Sequence, residues 1–362
     1  MSALDHDVAG LFAVGFEGTS PSPEILALVR RGVYGVVLFG RNVVDAEQVA
    51  GLVAELKRAA GRPLLVSIDQ EGGRVARLRA PQGFTELPPM RALGATGDEG
   101  LAFELGALLG RELRAVGVDQ DYAPVVDVDT NSANPVIGDR SFSRDAAAVA
   151  ALGAALARGL QSQGVAACAK HFPGHGDTVQ DSHKALPHLP HALARLREVE
   201  LVPFRALARA GVASVMTAHV VFDALDARRP ATLSGPVMQL LREECGYDGC
   251  AISDDLEMKA VAEHFPLEEA VPAALAAGVD ALLVCHRSEV QERAIEAARR
   301  AVESGAVPRA RLEEARRRVK ALLAFAGPPP DPHAARAILR SEAHLALASR
   351  IAPVEVGCDP TA

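Results

Sequence analysis

Five times along this chain a glycine followed by valine closes an amphipathic stretch and opens a short apolar run: Gly32-Val33, Gly117-Val118, Gly164-Val165, Gly211-Val212 and Gly278-Val279. Glycine suits the left-handed position that ends a helix, because it has no Cβ to clash there. The mark therefore separates helix from strand. Short apolar runs at 8–16, 35–39, 63–68, 119–126, 165–170, 213–218, 249–253 and 281–285 read as eight strands. Between them lie helical patterns, among them 45–59 with Asp45 as N-cap, 97–116, 146–163 and 191–210. Strands that alternate with helices imply parallel pairing, and near-continuous apolar strands imply burial on both faces. Eight such units predict an α/β fold of the (β/α)8 TIM barrel type, a single domain. An open doubly wound sheet is the competing architecture, disfavoured because no Gly-x-Gly-x-x-Gly follows the first strand.

The barrel is expected to occupy residues 1–326, with trailing helices at 288–304, capped by Ser288, and at 309–325. Gly327-Pro328-Pro329-Pro330 then breaks the chain. Residues 327–362 read as a C-terminal tail with one helix, 332–350, packing on the barrel, and a frayed end.

Composition narrows the functions open to such a barrel. A net charge of −8 disfavours nucleic acid and anionic membrane as partners. Eleven Phe, three Tyr and no Trp provide no broad aromatic platform. No stretch approaches the roughly 18 apolar residues that span a bilayer. The N-terminal MSALDHDVAGLFAVGF lacks a basic region ahead of its apolar residues, so the expected location is cytoplasmic. Five cysteines, an odd number without metal-type spacing, read as free thiols in a reducing compartment; Cys245 and Cys250 could pair only if geometry allowed. Nothing in the sequence fixes an oligomeric state.

Barrel chemistry sits at the C-terminal ends of strands. Ionisable residues gather there: Asp69 after the third strand, Asp127 and Asp129 after the fourth, Lys170 and His171 after the fifth, His219 after the sixth, Asp254 and Asp255 after the seventh, His286 after the eighth. A charge at the end of a buried strand is costly unless paired, so six such ends together point to a polar cleft. The loop KHFPGHGDTVQDSH is the richest. His171 and His175 have the spacing of a helical metal pair, but Phe-Pro-Gly between them does not favour that helix. Asp181 two residues before His183 suits acid–base work, since a carboxylate fixes the tautomer of its imidazole. Asp254 could bind a metal or attack an anomeric carbon; alternation along a strand turns only one of Asp254 and Asp255 to the cleft. His175, Asp177 and His219 serve either substrate contact or scaffolding of the loops, and scaffolding is favoured.

The motifs SIDQEGGRVARL, IGDRSF, KHFPGHGDTVQDSH, VMTAHV and AISDDLEM, following one another in this order between about residues 39 and 286, resemble those of glycoside hydrolase family 3. The likeness is to its bacterial, single-domain β-N-acetylhexosaminidase branch. It implies a retaining mechanism with a covalent glycosyl-enzyme, Asp254 as nucleophile, and His183 as general acid/base partnered by Asp181. It further implies substrate contacts from Asp69, Arg77, Arg140, Lys170 and His171, and requires no metal or cofactor. The implied substrate is a small saccharide or muropeptide, N-acetylglucosamine linked to anhydro-N-acetylmuramic acid with or without peptide, in cell-wall recycling. Phosphorolysis at the same site is the alternative. A metal-dependent barrel hydrolase and a non-catalytic sugar-binding protein are the remaining readings.

Overall fold

The computed structural model describes residues 2–180 and 186–351. Eight parallel strands close a barrel: β1 (Phe12–Val14), β2 (Gly35–Leu38), β3 (Leu65–Ile68), β4 (Gln120–Asp121), β5 (Ala166–Phe172), β6 (Ser214–Thr217), β7 (Cys250–Asp255) and β8 (Ala281–Val284). Each pairs with its neighbours in sequence, and β1 pairs with β8 to complete the ring. The expected (β/α)8 barrel is thus the fold. Its strands are buried along nearly their whole length, as parallel strands covered by helices must be.

All eight expected strands are present, most of them shortened. In the first, Val8 and Ala9 belong to a helix, Ala3–Ala9, started by Ser2, whose hydroxyl accepts from the Asp5 N–H. The fourth keeps only two ladder residues. Pro124 has no N–H to donate, so the ladder lapses and returns as a single bridge between Val125 and Lys170. The five punctuating glycines all have positive φ, from 73° at Gly211 to 120° at Gly32.

The helices depart from expectation in three places. The stretch 191–210 is two helices, Leu193–Glu198 and Leu201–Arg209. Pro203 cannot donate to the Val199 carbonyl four residues back, and the break falls at Val199. Ser288 is the first helical residue of Ser288–Glu303 rather than its cap, a place taken by Arg287 without a side-chain bond. The tail pattern 332–350 is two short helices, Pro332–Ala335 and Glu342–Ala348, parted near Arg340 with φ 49°.

The tail is tied to the barrel wall through Glu112, buried on the helix Glu99–Ala115. Its carboxylate accepts from the Arg340 N–H (2.9 Å) and pairs with His344 Nδ1 (2.9 Å). The same carboxylate accepts from the N–H and hydroxyl of Thr85 at 2.9 and 2.6 Å. Cys168, Cys245, Cys250 and Cys285 are buried free thiols, so Cys245 and Cys250 are not bridged. Among the described residues, no helix is long and apolar enough to cross a membrane.

Candidate active site

The chain leaves β3 into a tight hairpin, Gln70–Gly72 paired with Val75–Ala76. Gly72 and Gly73 turn it with φ of 96° and 57°, and a Cβ on either would lie 2.7 Å from Pro88 or Pro89. This fold-back brings Asp69, Glu71 and Arg77 to the mouth of the barrel. There Lys170 Nζ, from β5, donates to Asp69 Oδ1 at 2.7 Å and lies 2.6 Å from Glu71 Oε1. Arg140 grips Glu71 with two parallel bonds of 2.8 Å, and Arg77 Nη2 lies 3.4 Å from Asp69 Oδ2.

Three cations therefore face two carboxylates in one connected cluster. Burial alone would push Glu71 up, but Arg140 and Lys170 outweigh it and hold the carboxyl at about 2. Burial likewise opposes the charges of Lys170 and Arg140, and their carboxylate partners overcome it and raise both. In Asp69, burial is overcome by Lys170 and Arg77, and the net shift is downward. Asp69 is also the most exposed member of the cluster, with 17% of its side chain open against 2–5% for the other four. It is the member whose oxygens a ligand could best reach.

Of the expected substrate contacts, Asp69, Arg77, Arg140 and Lys170 thus come together. Glu71, which binds two of them, received no role from the sequence. Its signal was its place just past the apolar run of the third strand, in DQEGG, and the cations it meets are brought near only by the fold.

The loop after β5 is organised by Asp127, which is fully buried. It accepts from the His171 N–H (3.2 Å to Oδ1), pairs with His171 Nδ1 (2.7 Å to Oδ2), and accepts from the His175 N–H (2.7 Å). The pairing at Nδ1 fixes the His171 ring orientation. Burial would raise the Asp127 carboxyl, and the two histidines lower it. The His175 ring is spent on Thr178 Oγ1 at 2.9 Å, while Asn134 holds its carbonyl at 2.8 Å. Burial pushes the His175 imidazole down to about 4, so it is neutral at neutral pH. The two rings meet edge to face, 5.7 Å apart. Gly176 is required by close approach, since a Cβ would fall 1.8 Å from the Val128 carbonyl oxygen. Further on, Asp177 pairs with His191 at 2.5 Å. Asp181 and His183 lie outside the described residues.

At the end of β7, Asp254 is partly exposed and Asp255 is buried. Asp254 Oδ1 accepts from the Asp255 N–H at 2.8 Å. Asp255 turns to the eighth strand end, where His286 Nε2 lies 3.1 Å from its Oδ2. Burial raises the Asp255 carboxyl, and pairing with it raises the His286 imidazole. Asp129 belongs to a rim of arginines, 2.6 Å from Arg91 Nη2 and 3.5 Å from Arg144 Nε.

Comparison with known proteins gives a consistent picture. The family model for the glycosyl hydrolase family 3 N-terminal domain matches residues 3–322. A β-hexosaminidase of Thiobacillus denitrificans is 45% identical over 287 residues, covering 77% of this chain and 78% of the relative. One from Bordetella parapertussis is 42% identical over 270 residues, 73% of this chain and 76% of the relative. Among solved structures, a glycoside hydrolase family 3 β-N-acetylglucosaminidase from Paenibacillus sp. superposes with a TM-score of 0.90 at 42% identity, over 97% of this chain and 68% of that one. NagZ from Neisseria gonorrhoeae in complex with N-trifluoroacetyl-D-glucosamine does so with a TM-score of 0.79 at 33% identity, over 94% of this chain and 97% of that one.

Proposed function

The chain belongs to glycosyl hydrolase family 3, and from that premise we propose that it is a retaining β-N-acetylhexosaminidase that removes terminal N-acetylglucosamine from cell-wall fragments. The observation that carries this reading is the ion-pair cluster at the ends of β3 and β5, opposite an aspartate at the end of β7. A sugar ring offers many hydroxyls and little charge. Asp69 with Lys170 and Arg77 supplies charged acceptors and donors held rigidly by burial, which suits several strong hydrogen bonds to such a ring. The relative that holds N-trifluoroacetyl-D-glucosamine supports an N-acyl sugar as the group bound.

In this reading Asp254 attacks the anomeric carbon and forms a glycosyl ester as the bond to the leaving oxygen breaks. His183 gives that oxygen a proton. It then takes one from water, which attacks the anomeric carbon and releases Asp254. An imidazole with an ordinary value of about 6.5 can do both jobs near neutral pH. Asp181 orients it. The roles of Asp181 and His183 rest on their match to the family motif, and His171, held by Asp127, joins Asp69, Arg77, Arg140 and Lys170 in binding. Anhydro-N-acetylmuramic acid, with or without peptide, is the proposed leaving group.

The test is to trap the enzyme with a 5-fluoro N-acetylglucosaminyl donor and sequence the labelled peptide by mass spectrometry. The expected label is on Asp254. A label on any other residue overturns the nucleophile assignment, and stoichiometric inhibition without a covalent label argues against retention through an enzyme ester. Product analysis in phosphate buffer completes it: N-acetylglucosamine is expected, and predominant N-acetylglucosamine 1-phosphate would redirect the reading to phosphorolysis.

A further inference from the structure

The ladder between β6 and β7 ends at the pair Thr217 and Ser253. Two residues further along each strand stand His219 and Asp255. Between Thr217 and His219, the Ala218 N–H goes to the Phe172 carbonyl on the other side. Instead the His219 side chain takes the place of the ladder, with Nε2 3.0 Å from the Asp255 carbonyl oxygen. A carbonyl only accepts, so Nε2 carries the proton. The ring is itself held, with Nδ1 2.8 Å from Thr232 Oγ1, and Thr232 Oγ1 meets Thr217 Oγ1 at 2.9 Å and the Ala218 carbonyl at 3.1 Å. His219 is buried.

Asp255 is consequently fixed from several sides. Its carbonyl receives His219 and also the Met258 N–H at 3.0 Å, its Oδ1 receives the Glu257 N–H at 3.1 Å, its Oδ2 lies beside His286, and the next N–H, of Leu256, reaches the Leu283 carbonyl at 3.0 Å. The one polar group of Asp255 turned toward the site is its N–H, which donates to Asp254 Oδ1. The rotation of the Asp254 carboxylate thus depends on the orientation of a peptide group. That orientation follows the torsions of Asp255, whose carbonyl is held from within its own turn by the Met258 N–H and from the neighbouring strand by the His219 imidazole.

We infer that His219 is a positioning residue for Asp254: it fixes the backbone of Asp255, whose N–H sets the angle at which the Asp254 carboxylate meets the anomeric carbon. The inference rests on Asp254 being the nucleophile. It distinguishes His219 from a substrate contact, and also from a core histidine that merely satisfies a buried carbonyl.

The experiment compares His219→Leu, which removes the donor, with His219→Gln, whose amide nitrogen can reach the place of Nε2. Hydrolysis of an aryl N-acetyl-β-glucosaminide gives kcat, and competitive inhibition by N-acetylglucosamine reports binding. Misplacing a reacting group by about 1 Å costs about 100-fold, so His219→Leu is expected to lower kcat by about that factor. Its inhibition constant should stay within about threefold of the parent, because ground-state binding is untouched. His219→Gln should recover kcat to within about tenfold of the parent. Neither limb of the pH–rate profile should move, since the nucleophile and the acid/base group of the proposed reaction are both retained.

A weakened inhibition constant in step with the lost activity would make His219 a sugar contact and overturn the inference. So would equal loss in His219→Gln and His219→Leu, or full activity in His219→Leu. Should His219→Leu not fold, Thr232→Val decides: loosening the ring from its far side is expected to lower kcat by about tenfold at unchanged inhibition, and unchanged kcat overturns the proposal. Trapping of the parent separates the two layers. A label away from Asp254 removes the nucleophile reading and this inference together, whereas a label on Asp254 with no effect of either variant removes this inference alone.

Discussion

At the N-terminal rim of the barrel, Asp119 and Asp280 are wholly buried and fully occupied. Asp119 takes Lys57 Nζ at 2.8 Å, Arg114 Nη1 at 2.6 Å, and the N–H groups of Val66 and Gly327 at 3.0 and 2.8 Å. Asp280 takes Arg242 at 2.6 Å, Arg311 at 2.5 Å, Arg318 at 3.4 Å and the Ala251 N–H at 2.9 Å. At the C-terminal rim the carboxylates are less completely enclosed. Asp69 keeps part of its surface open, Asp254 is partly exposed, and Asp121 Oδ2 is buried with no hydrogen-bond partner among the described residues. Burial pushes the Asp121 carboxyl well up, whereas the cations around Glu71 hold that one down. Both rims contain buried charge, so its presence marks no function. What separates them is access: Asp119 and Asp280 are wholly enclosed by their partners and hold strands together, whereas Asp69 and Asp254 keep surface that a ligand can reach.

The contrast can be broken most severely at Asp254. Asp254→Asn is expected to lower kcat on an aryl N-acetylglucosaminide by about 10⁴-fold or more, while thermal unfolding stays near the parent. A large fall in melting temperature would move Asp254 to the structural class. The opposite is expected of Asp280→Asn: three arginines lose the charge they share, and breaking a buried pair costs about 3–5 kcal/mol. Urea unfolding should show that loss with kcat per folded molecule unchanged.

Glu71 is the residue that belongs to both classes, because it is buried like Asp280 yet touches Lys170. Glu71→Gln is expected to cost about 3 kcal/mol and also to raise KM, since Lys170 and Arg140 lose the group that aims them. Stability alone changing would make the Arg140–Glu71–Lys170 unit pure scaffold. The same group supplies a pH test. Its carboxyl is held at about 2 in the folded chain against an ordinary 4.5. The stability it contributes is therefore complete above about 4.5 and drains away as pH falls from there toward about 2. Urea midpoints across that window should fall less steeply in Glu71→Gln than in the parent. The smallest effect tests a site outside both rims: Asp45→Ala removes the cap at the Gln48 N–H and should cost about 1 kcal/mol with unchanged kinetics.

Much of the barrel was readable because its rules are local. A strand covered on both faces by helices is apolar along its length, and a helix that must stop before it does so on glycine, as at Gly164 and Gly278. The polar strand ends were readable for the same reason, by contrast with the apolar runs before them. What escaped were features that depend on distant neighbours. Glu71 and Arg140 are 69 residues apart, and Asp127 reaches His175 across 48. No window of sequence contains such a pair, so Asp127 stood as one strand-end charge among several and not as the hub of the loop. The shortened fourth strand and the divided helix near Val199 did carry local signals, Pro124 and Pro203. They were outweighed by the apolar and amphipathic patterns around them.

Glu112 joins two parts of the chain that otherwise meet through the Arg340 Nη1 donation to the Ala80 carbonyl at 3.4 Å. One of its partners, Thr85, lies a few residues past the hairpin bearing Glu71 and Arg77; the others, Arg340 and His344, lie in the tail. A chain cut short after residue 330 would keep all eight barrel strands and every residue of the proposed site, yet would open that carboxylate to water and loosen the segment that follows the Gln70–Ala76 hairpin. Tolerance of trimming at this end is therefore set less by the length of the barrel than by a buried fastening that spans 259 positions of sequence from Thr85 to His344 by way of one side chain.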